Sequence, residues 1–177
     1  MSEADFIIRP VADDDLEAVR AIYAHHVRTS TGTFEITAPD RAEMARRRTE
    51  VAGRGLPFLV AEAKGTVLGY AYANLYRTRE AYRFTVEDSV YVAPDWLRQG
   101  LGGLLLGRLI DASAKAGARQ MVAVIGGSDN RGSIRLHEGL GFVRVGLLTA
   151  AGFKFGRWCD SVLMQRPLGD GDSTLPP

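Results

Sequence analysis

Hydrophobic and polar positions follow two periods along this chain, and the switches between them mark its elements. Phe6-Ile7-Ile8-Arg9-Pro10 reads as a short first strand ended by proline. Behind Asp13, Asp14 and Asp15, which suit a helix start by capping and by charge, the residues Leu16, Val19, Ala21, Ile22 and Tyr23 recur at helical spacing to about His26. Thr29 to Pro39 is rich in Thr and Gly and reads as a loop carrying Phe34. Asp40 caps a second, more polar helix to about Ala52, stopped by Gly53 and Gly55. Pro57 to Ala63 and Val67 to Leu75 alternate as strands, joined across Lys64-Gly65-Thr66 in a hairpin. A polar loop, Tyr76 to Tyr82, leads to the next strand, Arg83 to Val92.

Downstream, Leu101, Leu104, Leu105, Leu109 and Ile110 return to helical spacing as far as Gly117. Met121-Val122-Ala123-Val124-Ile125 is a buried strand, Gly126 to Asn130 a turn, and Ser133 to Leu140 a short helix closed by Gly141. Two more strands follow, roughly Val143 to Ala150 and Trp158 to Gln165. Hairpin strands followed by strand–helix–strand–helix predict an α/β domain of the α+β type. Its mixed, mostly antiparallel central sheet is flanked by helices, with parallel pairing around the helix that starts at Leu101. One domain is expected over residues 5–168, and residues 169–177 read as a flexible tail.

Size and charge narrow the function classes. A chain of 177 residues suits one domain with a real core. The formal net charge is +1 with the signs mixed along the chain, so neither nucleic acid nor an anionic membrane is expected as the main partner. The densest basic run, Arg46-Arg47-Arg48, reads as a solvated helix face. The single cysteine, Cys159, excludes an internal disulfide and fits a reducing cytoplasm. Between Trp158 and Asp160 in a strand-like run it reads as a packed thiol, not a nucleophile. No apolar run reaches membrane-spanning length, and no signal-peptide core is legible.

The chemistry concentrates after the strand at Val90-Tyr91-Val92. There Leu97-Arg98-Gln99-Gly100-Leu101-Gly102-Gly103 delivers glycines to the start of an apolar helix. Unpaired N–H groups and the positive helix end make such a start an anion site, and glycine lets a phosphate approach the backbone. The same pattern also suits a helix start with small residues for packing. Glu87 can be a general base or a surface carboxylate on a strand; Asp88 beside it points to the opposite sheet face. His137 can move a proton near neutral pH or be structural. Asn130 and Ser133 suit an N-cap. His25 and His26 read as surface or packing residues, and no metal-ligand cluster is legible.

The strand running into R-Q-G-L-G-G, the Asn-bearing turn and the short helix ending in L-G-F resemble the GNAT superfamily of N-acetyltransferases. Thr85-Val86-Glu87-Asp88-Ser89-Val90-Tyr91-Val92, Arg135-Leu136-His137-Glu138 and Lys154-Phe155-Gly156-Arg157-Trp158 narrow the resemblance to the phosphinothricin and methionine sulfoximine N-acetyltransferase group. The resemblance covers roughly Ile8 to Arg166. It implies a GNAT-like domain that uses acetyl-coenzyme A and acetylates a small amino acid or analogue by direct attack in a ternary complex. Glu87 would be the base, and His137 would assist departure of the thiolate. Val90, Tyr91, Val92, Arg98, Gln99, Gly100, Leu101, Gly102, Gly103, Asn130 and Ser133 would hold the cofactor. Phe34, Arg77, Thr78, Arg79, Tyr82, Glu87, Asp88, Ser89 and Lys154 match acceptor-pocket positions, the arginines suiting an anionic group. A homodimer is also implied. One departure stands out: Leu97 occupies the place where the superfamily usually has Gln or Arg, with Arg98 following to supply charge. The alternatives are acetylation of a polyamine or a protein N-terminus, or a non-catalytic acyl-coenzyme A-binding module.

Overall fold

Because proline offers no N–H, Pro10 suits the end of an edge strand, and β1 (Ile7–Pro10) is one, paired only with β2 (Phe58–Ala63) among the described residues. The computed structural model describes residues 6–176. β2 turns through Lys64 and Gly65, at φ 50° and 77°, into β3 (Thr66–Leu75), which pairs with β4 (Thr85–Val92). β5 (Gln120–Gly126), β6 (Val143–Lys154) and β7 (Arg157–Pro167) complete a seven-stranded sheet in the order β1-β2-β3-β4-β5-β7-β6. Every neighbouring pair is antiparallel except β4 and β5, as the order of elements along the chain predicts.

Strand alternation gives the sheet two buried faces. Val60 and Tyr70 meet Leu16, Val19, Ile22, Tyr23 and Val27 of α1 (Leu16–Thr29), with Met44 and Val51 of α2 (Arg41–Gly53). Their neighbours Ala61 and Ala71 face the other way. There Leu101, Leu105, Leu106 and Leu109 of α3 (Leu101–Lys115) pack, with Ile134 of α4 (Arg131–Gly139). The small side chains of Ala71 and Ala73 on β3 let α3 approach closely, while Tyr70 fills the opposite layer.

Several boundaries differ from the sequence reading, each for a local reason. α1 continues past His26 to Thr29, where Thr29 Oγ1 donates to the His25 carbonyl and Ser30 Oγ to that of His26. α4 starts at Arg131 because Asn130 caps it, its Oδ1 accepting from the Ser133 N–H at 3.3 Å. β6 runs beyond Ala150 to Lys154 through an irregularity between Leu148 and Gly152. Ala150 sits there at φ 53°, and Asp160 Oδ1 takes its N–H at 3.0 Å. The basic run splits: Arg46 lies in solvent, but Arg47 turns inward to Glu35 at 2.7 Å and Glu43 at 2.8 Å, over the Tyr23 ring. After β7 the chain turns back, and Arg119 Nη2 donates to Thr174 Oγ1 at 2.6 Å.

The parallel pair positions everything that follows. β4 and β5 are in register at Thr85–Gln120, Val86–Met121 and Glu87–Val122, and at no later residue. Beyond Glu87 the two strands part, while β3 stays paired to β4 as far as Val92 and β7 to β5 as far as Gly126. The sheet therefore holds a wedge-shaped gap whose facing edges have no strand partner among the described residues.

Candidate active site

That gap opens into a cleft of about 820 Å³. Its walls are Glu87 to Val92 on β4, Ala123 to Gly126 on β5, the start of α3, α4 at Ser133 and His137, and residues 29–34 after α1. A smaller hollow of about 310 Å³ beside Tyr72 and Asn74 is crowded by Arg46 and Arg47, already paired with Glu43 and Glu50.

At one end of the cleft is the helix start. Gly100, at φ 86°, occupies the left-handed region that glycine tolerates, and it turns the chain into α3. Arg98 before it also has positive φ, at 61°, and lines the cleft. Gly102 and Gly103 bring bare backbone to the cleft wall, where the first-turn N–H groups suit a phosphate. Leu97 reaches the cleft wall without charge, so Arg98 is the cation of this loop nearest the helix start. Two expected residues turn away. Gln99 Nε2 donates to the Asp95 carbonyl at 2.8 Å, and Leu101 is buried in the core beneath α3.

Beside the helix, the edge of β4 from Val90 to Val92 has no strand partner and can bond an extended amide chain as an added strand would, through the groups that His26 does not take. His26 Nε2, from α1, lies 2.8 Å from the Val92 carbonyl and donates to it. Burial pushes its imidazole below the usual histidine value, so the ring is neutral. The sequence reading gives His26 as a surface or packing residue. What it could not see is that α1 crosses β4 at Val92, a pairing across 66 residues.

At the apex stands Glu87. Burial pushes its carboxyl up, the Asp88 charge adds to this, and Arg77 opposes it; the result is about 7. A carboxylate so placed matches a base working near neutral pH. Asp88 faces the opposite side of the sheet, as strand alternation predicts, and there it meets α4. Its Oδ2 lies 3.0 Å from His137 Nε2, both side chains being almost fully buried. His137 Nδ1 lies 2.7 Å from the Ser133 carbonyl. Burial alone would push this imidazole down; the Asp88 bond and charge, with the Ser133 carbonyl, outweigh it and hold the ring above the usual histidine value. Asp88 Oδ1 has no hydrogen-bond partner among the described residues.

Acceptor-side residues divide. Phe34, Glu87, Asp88 and Ser89 line the cleft. Lys154 is buried behind it: Nζ donates to the carbonyls of Ser30 at 2.8 Å and Thr33 at 2.7 Å, pinning the 30–34 loop. Arg77, Thr78, Arg79 and Tyr82 lie outside the lining of the cleft. Arg77 stacks on Tyr76, which meets Tyr82 edge-on, yet its charge reaches Glu87. Cys159 is buried and directed to the Arg157 carbonyl, away from the cleft, as a packed thiol would be.

Comparison with known proteins agrees with this geometry. The profile of the acetyltransferase (GNAT) family matches residues 19–142. The phosphinothricin N-acetyltransferase of Alcaligenes faecalis is 57% identical over 169 residues, covering 96% of this chain and 86% of that protein. The L-methionine sulfoximine/L-methionine sulfone acetyltransferase of Salmonella typhimurium is 39% identical, covering 88% of this chain and 91% of that one. Among solved structures, a phosphinothricin acetyltransferase from Sinorhizobium meliloti, crystallised with acetyl-coenzyme A, superposes with a TM-score of 0.94. It is 45% identical, with 98% and 94% of the two chains covered.

Proposed function

The chain belongs to the acetyltransferase (GNAT) family, and from that premise we propose that it acetylates the amino group of a small amino acid or amino-acid analogue, with phosphinothricin, methionine sulfoximine and methionine sulfone as the leading acceptors. Acetyl-coenzyme A is the co-substrate, and the features of the cleft fit it: a glycine-lined helix start for the pyrophosphate and an unpaired strand edge for the amides of its arm.

The observation that carries the reading is Glu87. An ammonium cannot attack a thioester, and this carboxylate, raised to about 7, stands at the apex of the cleft to take the proton directly or through a water. Backbone N–H groups at the open edge of β4 can polarise the thioester carbonyl. The His137–Asp88 pair holds a proton in the cleft wall for the departing sulfur. Attack is direct in a ternary complex, because Cys159, the one thiol of the chain, is buried against Arg157. Arg77, through its charge on Glu87, and Arg79, on the same loop, suit the acceptor's anionic group.

We further infer a homodimer. The outer strand β6 exposes Val143, Val145, Leu147, Leu148 and Phe153, and Trp158 beside them is 67% exposed; an edge so apolar is a surface to be covered. A reducing cytoplasm is the setting that the buried free thiol of Cys159 supports.

The deciding experiment is a steady-state screen of amino acids, their analogues, polyamines and peptides, following free thiol release from acetyl-coenzyme A. Turnover confined to the small amino-acid analogues supports the reading. Preference for a polyamine or peptide overturns the acceptor class, and cofactor binding without turnover on any amine points to a binding module.

A further inference from the structure

Asp88 stands back to back with Glu87 on β4 and bonds His137 on α4, so one carboxylate acts on both halves of the proposed proton chemistry, on His137 by a hydrogen bond and on Glu87 by its charge. We propose that Asp88 is the positioning residue of this site: it fixes the ring of His137 and governs the charge carried by His137 and Glu87 together. Its kinetic part rests on the reading of Glu87 as the base.

The hydrogen-bond inventory of the ring leads there. A carbonyl can only accept, so Nδ1 of His137, at 2.7 Å from the Ser133 oxygen, carries a proton. Nε2 then faces Asp88 Oδ2 at 3.0 Å, and one proton must lie between them. Both ring nitrogens are thereby committed to the protein, and Phe142 closes on the ring edge-on at 4.9 Å. A base needs a bare nitrogen, and neither nitrogen of His137 is bare. What the pair can do is hold a proton and release it. The buried Oδ1 of Asp88, without a partner among the described residues and on a side chain in the wall of the cleft, leaves one acceptor position open on the same carboxylate.

The charged surroundings are few. Glu138, next to His137, is turned outward to Arg144 at 3.0 Å. Asp88 is the carboxylate that meets the ring. On the other face, Glu87 has Asp88 and Arg77 as its charged neighbours, Asn74 as its register partner and Tyr72 alongside. Removing the Asp88 charge therefore frees Glu87 to ionise at lower pH and frees His137 to lose its proton at lower pH. The two sites move in one direction because a negative charge favours the protonated form of both.

Two readouts test this. In the wild-type protein at neutral pH, nitrogen NMR of His137 should show both ring nitrogens protonated, a measurement that needs no assay and no assumption about Glu87. In Asp88→Asn, the imidazole titration and the acidic limb of kcat/KM should both move to lower pH, with the KM for acetyl-coenzyme A unchanged. Asp88→Ser supplies the same comparison where the asparagine variant folds poorly. A bare Nε2 in the wild type, or an acidic limb that stays in place while kcat falls, overturns the proposal and leaves Asp88 a packing residue. The failure of the base reading looks different: Glu87→Gln would then keep the acidic limb.

Discussion

Gly126 passes beneath Thr31 so closely that a Cβ on it would stand 2.0 Å from the Thr31 carbonyl oxygen and 2.9 Å from the Phe34 ring. No real contact is so short, so the end of β5 and the loop after α1 fit only through glycine. Gly126→Ala must push the loop aside. Overpacking of this kind costs about 1–3 kcal/mol, and it displaces residues that line the cleft. We expect a lower urea midpoint and a raised acceptor KM. A variant as stable as the parent with an unchanged KM would disprove the fit.

Removing the proposed base tests the chemistry. Glu87→Gln keeps the shape but cannot accept a proton, and kcat should fall about 10²–10⁴-fold near pH 7. Acetyl-coenzyme A affinity should hold, and higher pH should partly restore the variant by delivering free amine. In the parent, Glu87 is protonated below about 7, so activity should decline as pH drops through that value. Near-normal turnover in the variant would move the base role elsewhere.

Arg77 lowers the value that Asp88 raises. Arg77→Ala should therefore shift the acidic limb to higher pH, the reverse of the Asp88 variants. An acceptor carboxylate or phosphinate bonded to this guanidinium would lose about 1.5–3 kcal/mol, seen as a raised acceptor KM with the cofactor KM unmoved. A change confined to the cofactor KM would assign the loop to the cofactor.

The cofactor loop is tested by Gly102→Val. A Cβ there meets Leu136 at 3.5 Å and Val92 at 3.7 Å, ordinary contacts that the fold tolerates. The added methyls stand where a pyrophosphate must approach the backbone. We expect a folded protein that no longer binds acetyl-coenzyme A by calorimetry; unchanged affinity would remove the anion-site assignment.

His26 gives stability a pH dependence. Its folded value is depressed by burial below the usual 6.5. Its contribution is thus complete above 6.5 and is lost as pH falls through the folded value, where protonation pulls the ring into water. His137 runs the other way, its raised value contributing fully below 6.5 and fading as pH rises through the folded value. Urea midpoints of the parent and His26→Gln between pH 7.5 and 5 isolate the first effect. The parent should lose more stability on acidification than the variant, and parallel curves would refute it.

The local features were legible in the sequence. Gly100-Leu101-Gly102-Gly103 ahead of leucines at helical spacing could only open a helix, and Glu87 and Asp88, as adjacent strand residues, had to face opposite ways. What escaped depends on distant contacts. His26 meets Val92 across 66 residues, and Lys154 reaches Thr33 across 121. The bond from Asp88 to His137 spans 49. Asp88, His137 and Lys154 stood out through the family resemblance, but their partners, like that of His26, are set by the packing of α1, β6 and α4 on the sheet. Ala150 hid the true length of β6 in the same way, since its positive φ is supported by Asp160 on the adjoining strand.

The three rungs that join β4 to β5 give the molecule a mechanical character. Glu87 and Val122 form the last rung, and beyond them two sheet halves diverge as the arms of a hinge. A hinge moves least at its pivot. Any opening of the arms would carry Val92 and Gly126 at the open ends farther than the carboxylate at the vertex. The carboxylate proposed as the base is thus mounted at the vertex, the place in this wedge that any such opening would displace least.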